Sequence, residues 1–427
     1  MRFPNFVGEP SPRRMLSTIA VLVVGGLLSV VGINLAIDPY DIWRVVHIPM
    51  LPNKFKQRGN DRMHKVALIQ MESPDGIILG TSRSQVTLNP RSKAFDGFAE
   101  HVVNAAVDAC IPYEALRYTQ HALAVAQRDS TKLKLVVYGL DLRAFDKTRA
   151  PLDGHSEERF LVSRTGIQQP FARAHDIAGT LLSFDALRAS MATVYHRSWP
   201  SYLRPMGQRD PALQEDDLTR AGGQRKFFEV SERDYANNYG CFNEASPDDA
   251  VYTDLERLLT EAYEASVKVR LYFSPVHARH HLVIEAAGLT QAERRYKTLI
   301  LRMVERAQQR GQDVQLWDFS FAEADEPVPE ASDTKARMKW WWESSHATSA
   351  LGERLLGAMF QKAKAASLGR QLQNESELVF WFQELEQAQQ KWEAEHPAEV
   401  QAVASAAQHQ LKVWRSTACP DHVPASE

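Results

Sequence analysis

The sequence predicts an α/β fold with a central parallel sheet, preceded by one transmembrane helix and followed by a helical C-terminal extension. Three observations predict it. Between residues 66 and 361, short continuous apolar runs alternate with helical stretches, the pattern of strands buried on both faces. An uncharged apolar run fills positions 15 to 37. From Ala363 onward the composition turns rich in Gln, Glu and Ala. The averages exclude other classes. With 50 Lys+Arg against 53 Asp+Glu in 427 residues, the net charge is −3, which removes bulk attraction to nucleic acid. A hydrophobic fraction of 44% excludes a disordered chain, and a mean hydropathy of −0.36 excludes a polytopic membrane protein.

The apolar run from Met15 to Ile37 is 23 residues long and carries no ionisable side chain. A helix of that length spans about 34 Å at roughly 1.5 Å per residue, enough for a hydrocarbon core of about 30 Å. Arg2, Arg13 and Arg14 precede it, while Asp38 and Asp41 follow. The positive-inside rule then puts residues 1–14 in the cytoplasm and the rest outside. The run is longer than the apolar part of a signal peptide, and Asn34-Leu35-Ala36 is a poor cleavage site. The expectation is a single-pass anchor in the cytoplasmic (inner) membrane, with the main domain periplasmic. That compartment permits a disulfide, but Cys110, Cys241 and Cys419 cannot all pair within one chain. Cys110, in an apolar context, reads as a buried free thiol.

Residues 38–65, with Pro39, Pro49 and Pro52, read as a juxtamembrane connector. The candidate strands are Gly76–Gly80, His101–Asn104, Leu133–Gly139, Val267–Phe273 and Val314–Trp317. Helices are predicted over Pro112–Gln127, Asp248–Ser266, Thr290–Arg310 and Ala347–Phe360. An insertion at about 142–247 separates the third strand from the fourth. It contains a predicted helix over Ile177–Tyr195 and loops around Pro200–Pro211 and Ala221-Gly222-Gly223. Pro397 divides the extension, 362–427, into helices Leu372–Glu395 and Ala398–Trp414. Leu378, Val379, Phe380, Trp381 and Phe382 are too apolar for a solvated helix and call for the main domain or a partner.

Gly80-Thr81-Ser82-Arg83-Ser84 directly follows the first strand, and sites in open parallel sheets form at the carboxyl ends of strands. There a serine hydroxyl can stand above the sheet, with backbone N–H groups aimed at a developing oxyanion. The plainer alternative is that Thr81, Ser82 or Ser84 caps the next helix. Glu343-Ser344-Ser345-His346 follows the last strand. Its histidine can take a proton from Ser82, and Glu343 can orient the imidazole. Asp318 is a rival acid. His277, after the fourth strand, is a candidate substrate contact or part of a surface loop. His277, His280 and His281 have no HExxH setting for zinc. Trp340, Trp341 and Trp342 either stack on sugar rings or belong to the core or the wall of the site. No dinucleotide or Walker glycine loop is present.

A nucleophile after the first strand and an acid-x-x-His before the last helix resemble the SGNH (GDSL-like) hydrolase superfamily, over about residues 66–361. The likeness is to its membrane-anchored, extracytoplasmic branch, which includes alginate O-acetylation proteins and the D-alanyl transfer protein of teichoic acid synthesis. The resemblance implies a three-layer fold and a serine esterase or O-acyltransferase acting on a cell-envelope glycan or acyl-carrying substrate. It implies no metal or organic cofactor, and a membrane-bound acyltransferase as partner. Gly80, Ser82 and Arg83 look like the first block, Asn104 like the second-block oxyanion region, and Glu343 with His346 like the last block. Thr81 stands where many members have Asp, and Glu343 where the family usually has Asp. The third-block Gly-x-Asn-Asp is absent. Gly139-Leu140-Asp141-Leu142 occupies its place, and an ionised Asp141 cannot donate to an oxyanion. That erosion also fits a non-catalytic scaffold or glycan-binding component of a synthesis complex.

Overall fold

The computed structural model describes residues 11–48, 51, 60–169, 172–361 and 368–418. Arg2, Pro49, Pro52 and Cys419 lie outside them. Among the described residues are fourteen α-helices and one six-stranded sheet. The strands are β1 (Gly76–Leu79), β2 (Val102–Asn104), β3 (Leu135–Leu140), β4 (Lys268–Phe273), β5 (Val314–Asp318) and β6 (Arg370–Leu372), in the order β2-β1-β3-β4-β5-β6. The first five are parallel. Every residue of β1 and β3 is buried, as continuous apolar runs require of central strands, and so is every residue of the edge strand β2.

Successive side chains divide between two cores. Ile77, Leu79, Val136 and Tyr138 enter one cluster with helices Pro112–Arg128, Ala250–Glu264 and Thr290–Gln309. Ile78, Leu135, Val137 and Tyr272 enter the other with helix Ser349–Gln361. The sheet is thus covered on both faces. In register, Leu79 pairs Tyr138, Leu140 pairs Phe273 and Phe273 pairs Asp318, so the carboxyl ends form one edge. The strand order reverses at β1, which lies between β2 and β3 and makes the β1/β3 edge a switch point.

Three expectations are corrected. First, β6 pairs antiparallel with β5 where the composition of the extension predicts the start of a helix, so the sheet is not wholly parallel. Asn374 then caps helix Glu375–Glu395 by accepting from the Glu377 N–H. Second, the predicted Ile177–Tyr195 helix is two, Ala172–Leu181 and Phe184–Tyr195. Ser183 breaks the run by accepting from Asp185 and Ala186 N–H groups. Third, the insertion holds two further helices, Pro211–Ala221 and Gln224–Gly240. Gly222 (φ 94°) and Gly223 (φ 112°) turn one into the other, a backbone that favours glycine.

In the extension, Leu378 is buried and Trp381 and Phe382 pack on the main core, while Val379 and Phe380 are exposed. Helix Pro397–Ala418 lies on Gln224–Gly240 and Ala278–Ala286 through Val403, Ala407 and Leu411 against Ala236, Tyr239 and Leu282. Cys110 is a buried free thiol, and Cys241 is disulfide-bonded. Helix Pro12–Ile37 is long and apolar enough to cross a membrane.

Beneath the sheet edge, Lys65 is fully buried, with its amine donating to the Asn104 and Gly207 carbonyls. A neutral amine has the two N–H groups those acceptors need. Burial pushes its ionisation down to about 7 from the ordinary 10.5. The folded chain therefore binds fewer protons than the unfolded chain between those values, and stability rises with pH across that window. Replacing Lys65 with Met should flatten that rise, read as urea midpoints at about pH 7 and about pH 10.

Candidate active site

Strand β1 is followed directly by Gly80, whose φ of 133° belongs to glycine. A Cβ there would collide with Ser84 Oγ and lie 3.0 Å from the Gly139 carbonyl. The turn leads into helix Ser82–Thr87, capped by Thr81 Oγ1 accepting from the Arg83 N–H at 3.2 Å. Ser84 is buried, with its hydroxyl 2.8 Å from that of Tyr272. Capping and core packing thus engage Thr81 and Ser84, while the half-buried Ser82 keeps its hydroxyl for another partner.

That partner is His346, whose Nε2 lies 2.8 Å from Ser82 Oγ. On the other side of the ring, Nδ1 contacts Glu343 Oε1. A carboxylate accepts only, so Nδ1 carries the proton and Nε2 presents a lone pair to the serine hydroxyl. A tight loop holds both residues. Trp341 bridges Ala347, and the Trp342 N–H donates to the His346 carbonyl at 2.9 Å. Gln224 Nε2 donates to the Trp341 and Trp342 carbonyls at 3.1 and 2.8 Å. Trp341 is fully buried in the core, its indole N–H donating to the Glu323 carbonyl at 2.7 Å. Trp340 lies under the Lys339 and Arg354 cations.

Glu343 is buried. Burial alone would raise its carboxyl, but the His346 charge, hydrogen bonds from His346 and Tyr235, and the Ser345 N–H hold it below the ordinary value of 4.5. The Ser345 N–H donates at 3.0 Å and the Tyr235 hydroxyl at 3.1 Å. Tyr235 also lies 3.2 Å from His346 Nδ1. It comes from helix Gln224–Gly240 of the insertion.

Arg83 ties the nucleophile turn to the histidine loop. Its Nη1 donates to Asp141 Oδ1 at 3.0 Å and its Nε to Ser345 Oγ at 2.7 Å. Its Nη2 lies 3.1 Å from His280 Nε2. Burial, then the Arg83 charge, hold His280 well below the ordinary histidine range. The neutral ring accepts from Arg83 and directs Nδ1 toward Ser344 Oγ at 3.4 Å. Asp141 also accepts from Thr81 Oγ1. It therefore braces the β1 turn and offers no donor to an oxyanion.

Three other candidates stand apart from Ser82. Asn104 is fully buried and gives its amide to the Ser84 and Leu88 carbonyls at 3.1 and 2.9 Å, so it clamps the nucleophile helix and is not an oxyanion donor. His277 is fully buried, capping helix Ala278–Ala286 by accepting from the Arg279 N–H, with Nε2 on the Glu326 carbonyl at 2.7 Å, so both ring nitrogens are engaged. Asp318 is paired with Lys297 at 3.1 Å and accepts from the Ser320 N–H at 2.8 Å, so it does not orient His346.

No protein-family model matches the sequence, and no curated protein matches it significantly. The functional reading therefore rests on the residues of this chain.

Proposed function

We propose that the protein is a single-pass, membrane-anchored extracytoplasmic serine esterase or O-acyltransferase acting on a cell-envelope glycan. The observation that carries this reading is the continuous Ser82–His346–Glu343 hydrogen-bonded chain at the switch point of the sheet. Ser82 Oγ attacks the acyl carbonyl while His346 Nε2 takes its proton. Glu343 stabilises the imidazolium that forms. Backbone N–H groups of the turn at Ser82 hold the oxyanion, beside the positive Arg83. As the tetrahedral intermediate collapses, the leaving alcohol takes the proton from His346 and leaves an acyl-Ser82 ester. An acceptor hydroxyl or water, deprotonated by His346, then attacks that ester and frees Ser82. The chemistry requires no metal or organic cofactor.

The half-buried Ser82 suits a chain-like or surface-bound acceptor. The three arginines before the apolar run and the acidic residues after it support a cytoplasmic N-terminus and a periplasmic domain. A serine-reactive fluorophosphonate tests the chemistry. Labelling should map to Ser82 and require His346. An inert Ser82 in a folded chain would instead leave a non-catalytic glycan-binding scaffold.

Tyr235 acts as a positioning residue. A hydrogen bond to a charged group is worth about 1.5–3 kcal/mol, so Tyr235→Phe should lower kcat roughly 10–150-fold. KM should hardly move, because the hydroxyl meets Glu343 and His346 and not the substrate. A raised KM at full kcat would place Tyr235 in substrate binding instead.

A further inference from the structure

The two helices of the insertion that precede Trp199 pack against the apolar N-terminal helix. That helix is exposed along one side and the other from Met15 to Ser29, and is covered in part or fully at Val30, Val31 and Asn34 to Ile37. Asn34 is fully buried. Its amide donates to the Leu181 and Ser183 carbonyls at 3.0 and 3.1 Å, and its Oδ1 accepts from Ser190 Oγ at 3.1 Å. The break between helices Ala172–Leu181 and Phe184–Tyr195 thus has carbonyls satisfied by a side chain of the span. Backbone away from water demands such partners.

Taking Ile37 as the outer end of the span, Asn34 lies about 4–5 Å below that end and Val30 about 10 Å below it, at roughly 1.5 Å per residue. The helix pair is seated over this interval. Helix Phe184–Tyr195 buries Ala186, Ala189, Ser190 and Thr193 on one face; Ser190 bonds to Asn34 of the span, while Ala186 and Ala189 pack with Tyr40, Ile42 and Met63 beyond its end. Away from that face, Phe184 (68% exposed), Met191 (57%), Val194 (41%) and Tyr195 (80%) are bare. Leu182 and Trp199 are bare beside them. Phe184, Arg188, Met191 and Tyr195 follow i, i+4, i+7, i+11 and so share one face. Asp185, Arg188 and Arg197 are exposed on the same pair or just after it. Their mixture with Tyr and Trp is that of a segment at the membrane–water boundary.

We infer that helices Ala172–Leu181 and Phe184–Tyr195 lie in the outer-leaflet interface, where Leu182, Phe184, Met191, Val194 and Tyr195 enter the lipid. The partner is the lipid bilayer itself. The observation that selects it is continuity: these side chains extend the apolar surface of the span at the depth where the helix pair is bonded to Asn34. The inference rests on residues 15–37 being a membrane span, and not on the chemistry of Ser82. An interfacial pair of this kind buries its apolar face about 5–10 Å into the headgroup and acyl boundary. The insertion is then a second attachment to the membrane, beside the anchor.

The test uses the full chain in vesicles of phosphatidylcholine and phosphatidylglycerol. Nitroxide labels are placed one at a time through Phe184→Cys, Met191→Cys and Tyr195→Cys. Leu22→Cys reports the span, and Lys391→Cys, at a side chain 77% exposed on helix Glu375–Glu395, reports water. Signal from the parent chain is subtracted. Positions 184, 191 and 195 should collide with oxygen in preference to a water-soluble nickel chelate, unlike 391 and less strongly than 22. If they collide with nickel as 391 does while 22 is lipid-protected, the span stands and the interfacial pair does not. Nickel access at 22 would remove the span and this inference with it. Dipolar broadening without oxygen preference would show that a second copy covers the face, and would equally overturn the proposal.

Discussion

A Ser82→Ala variant should lose acyl transfer by a factor on the order of 10⁴–10⁶, the scale seen when a nucleophile is removed from such a unit. Fluorophosphonate labelling should vanish with it. The free energy of unfolding should stay within about 0.5 kcal/mol of the parent, because Ser82 is half-buried and its hydroxyl is bonded to His346. His346→Ala should give a similar loss, and the double variant should be little worse than either, since the two groups act as one. Glu343→Gln turns the acceptor for Nδ1–H into a group that can present a donor, and should cost about 10⁴ in kcat. Rates come from release of a chromogenic acyl ester, and stability from urea unfolding of the same preparations. Full activity in Ser82→Ala would remove the serine from the reaction. Additive losses in the double variant would separate serine from histidine.

The second large effect is on stability and separates the two acids that compete for His346. Lys297 is buried, and its ammonium bonds to Asp318 Oδ2 at 3.1 Å and Ser320 Oγ at 2.6 Å. Burial alone would lower its ionisation, but Asp318 and then Glu293 raise it above the ordinary value, so Lys297 carries its charge. Asp318→Ala removes the nearer of the two carboxylates paired with that ammonium, leaving Glu293 at 3.5 Å, and breaking a buried pair in this way costs up to about 3–5 kcal/mol. Activity of the folded fraction, assayed well below the unfolding midpoint, should remain that of the parent. A 10⁴-fold loss at unchanged stability would return Asp318 to the role of orienting acid. The paired change Asp318→Leu with Lys297→Met should recover most of the stability, because a buried ion pair is often matched by apolar packing of similar volume.

Strands β1 to β5 were legible because each is a continuous apolar run between turn signals, and burial on both faces leaves no other use for it. Ser82, Glu343 and His346 were legible because each follows a strand, in a loop whose residue types have few other joint uses. The misreadings share one cause. Asn104, His277 and Asp318 are polar groups at or just past strand ends, where a side chain can face the edge or turn inward to clamp a neighbouring element. Spacing does not distinguish the two, and all three turn inward. Tyr235 gave no local signal, and His280 stood out only as one of three close histidines. They reach the site only through the packing of helices Gln224–Gly240 and Ala278–Ala286. Strand β6 is three residues long and is set by pairing with β5, against helix-favouring Gln, Leu and Arg.

The seat of helix Pro397–Ala418 on Gln224–Gly240 bears on when the protein can react as it is made. Synthesis runs from the N-terminus, so the segment bearing Ser82 emerges first, the one bearing Tyr235 later and the one bearing His346 later still. The support under Tyr235 comes last of all, and Arg279 of the site-lining helix bonds to Glu399 of that late segment. A nascent chain would therefore expose Ser82 long before the histidine it bonds to is in place. The order of residues acts as a timer, keeping the serine idle until the surrounding frame is assembled.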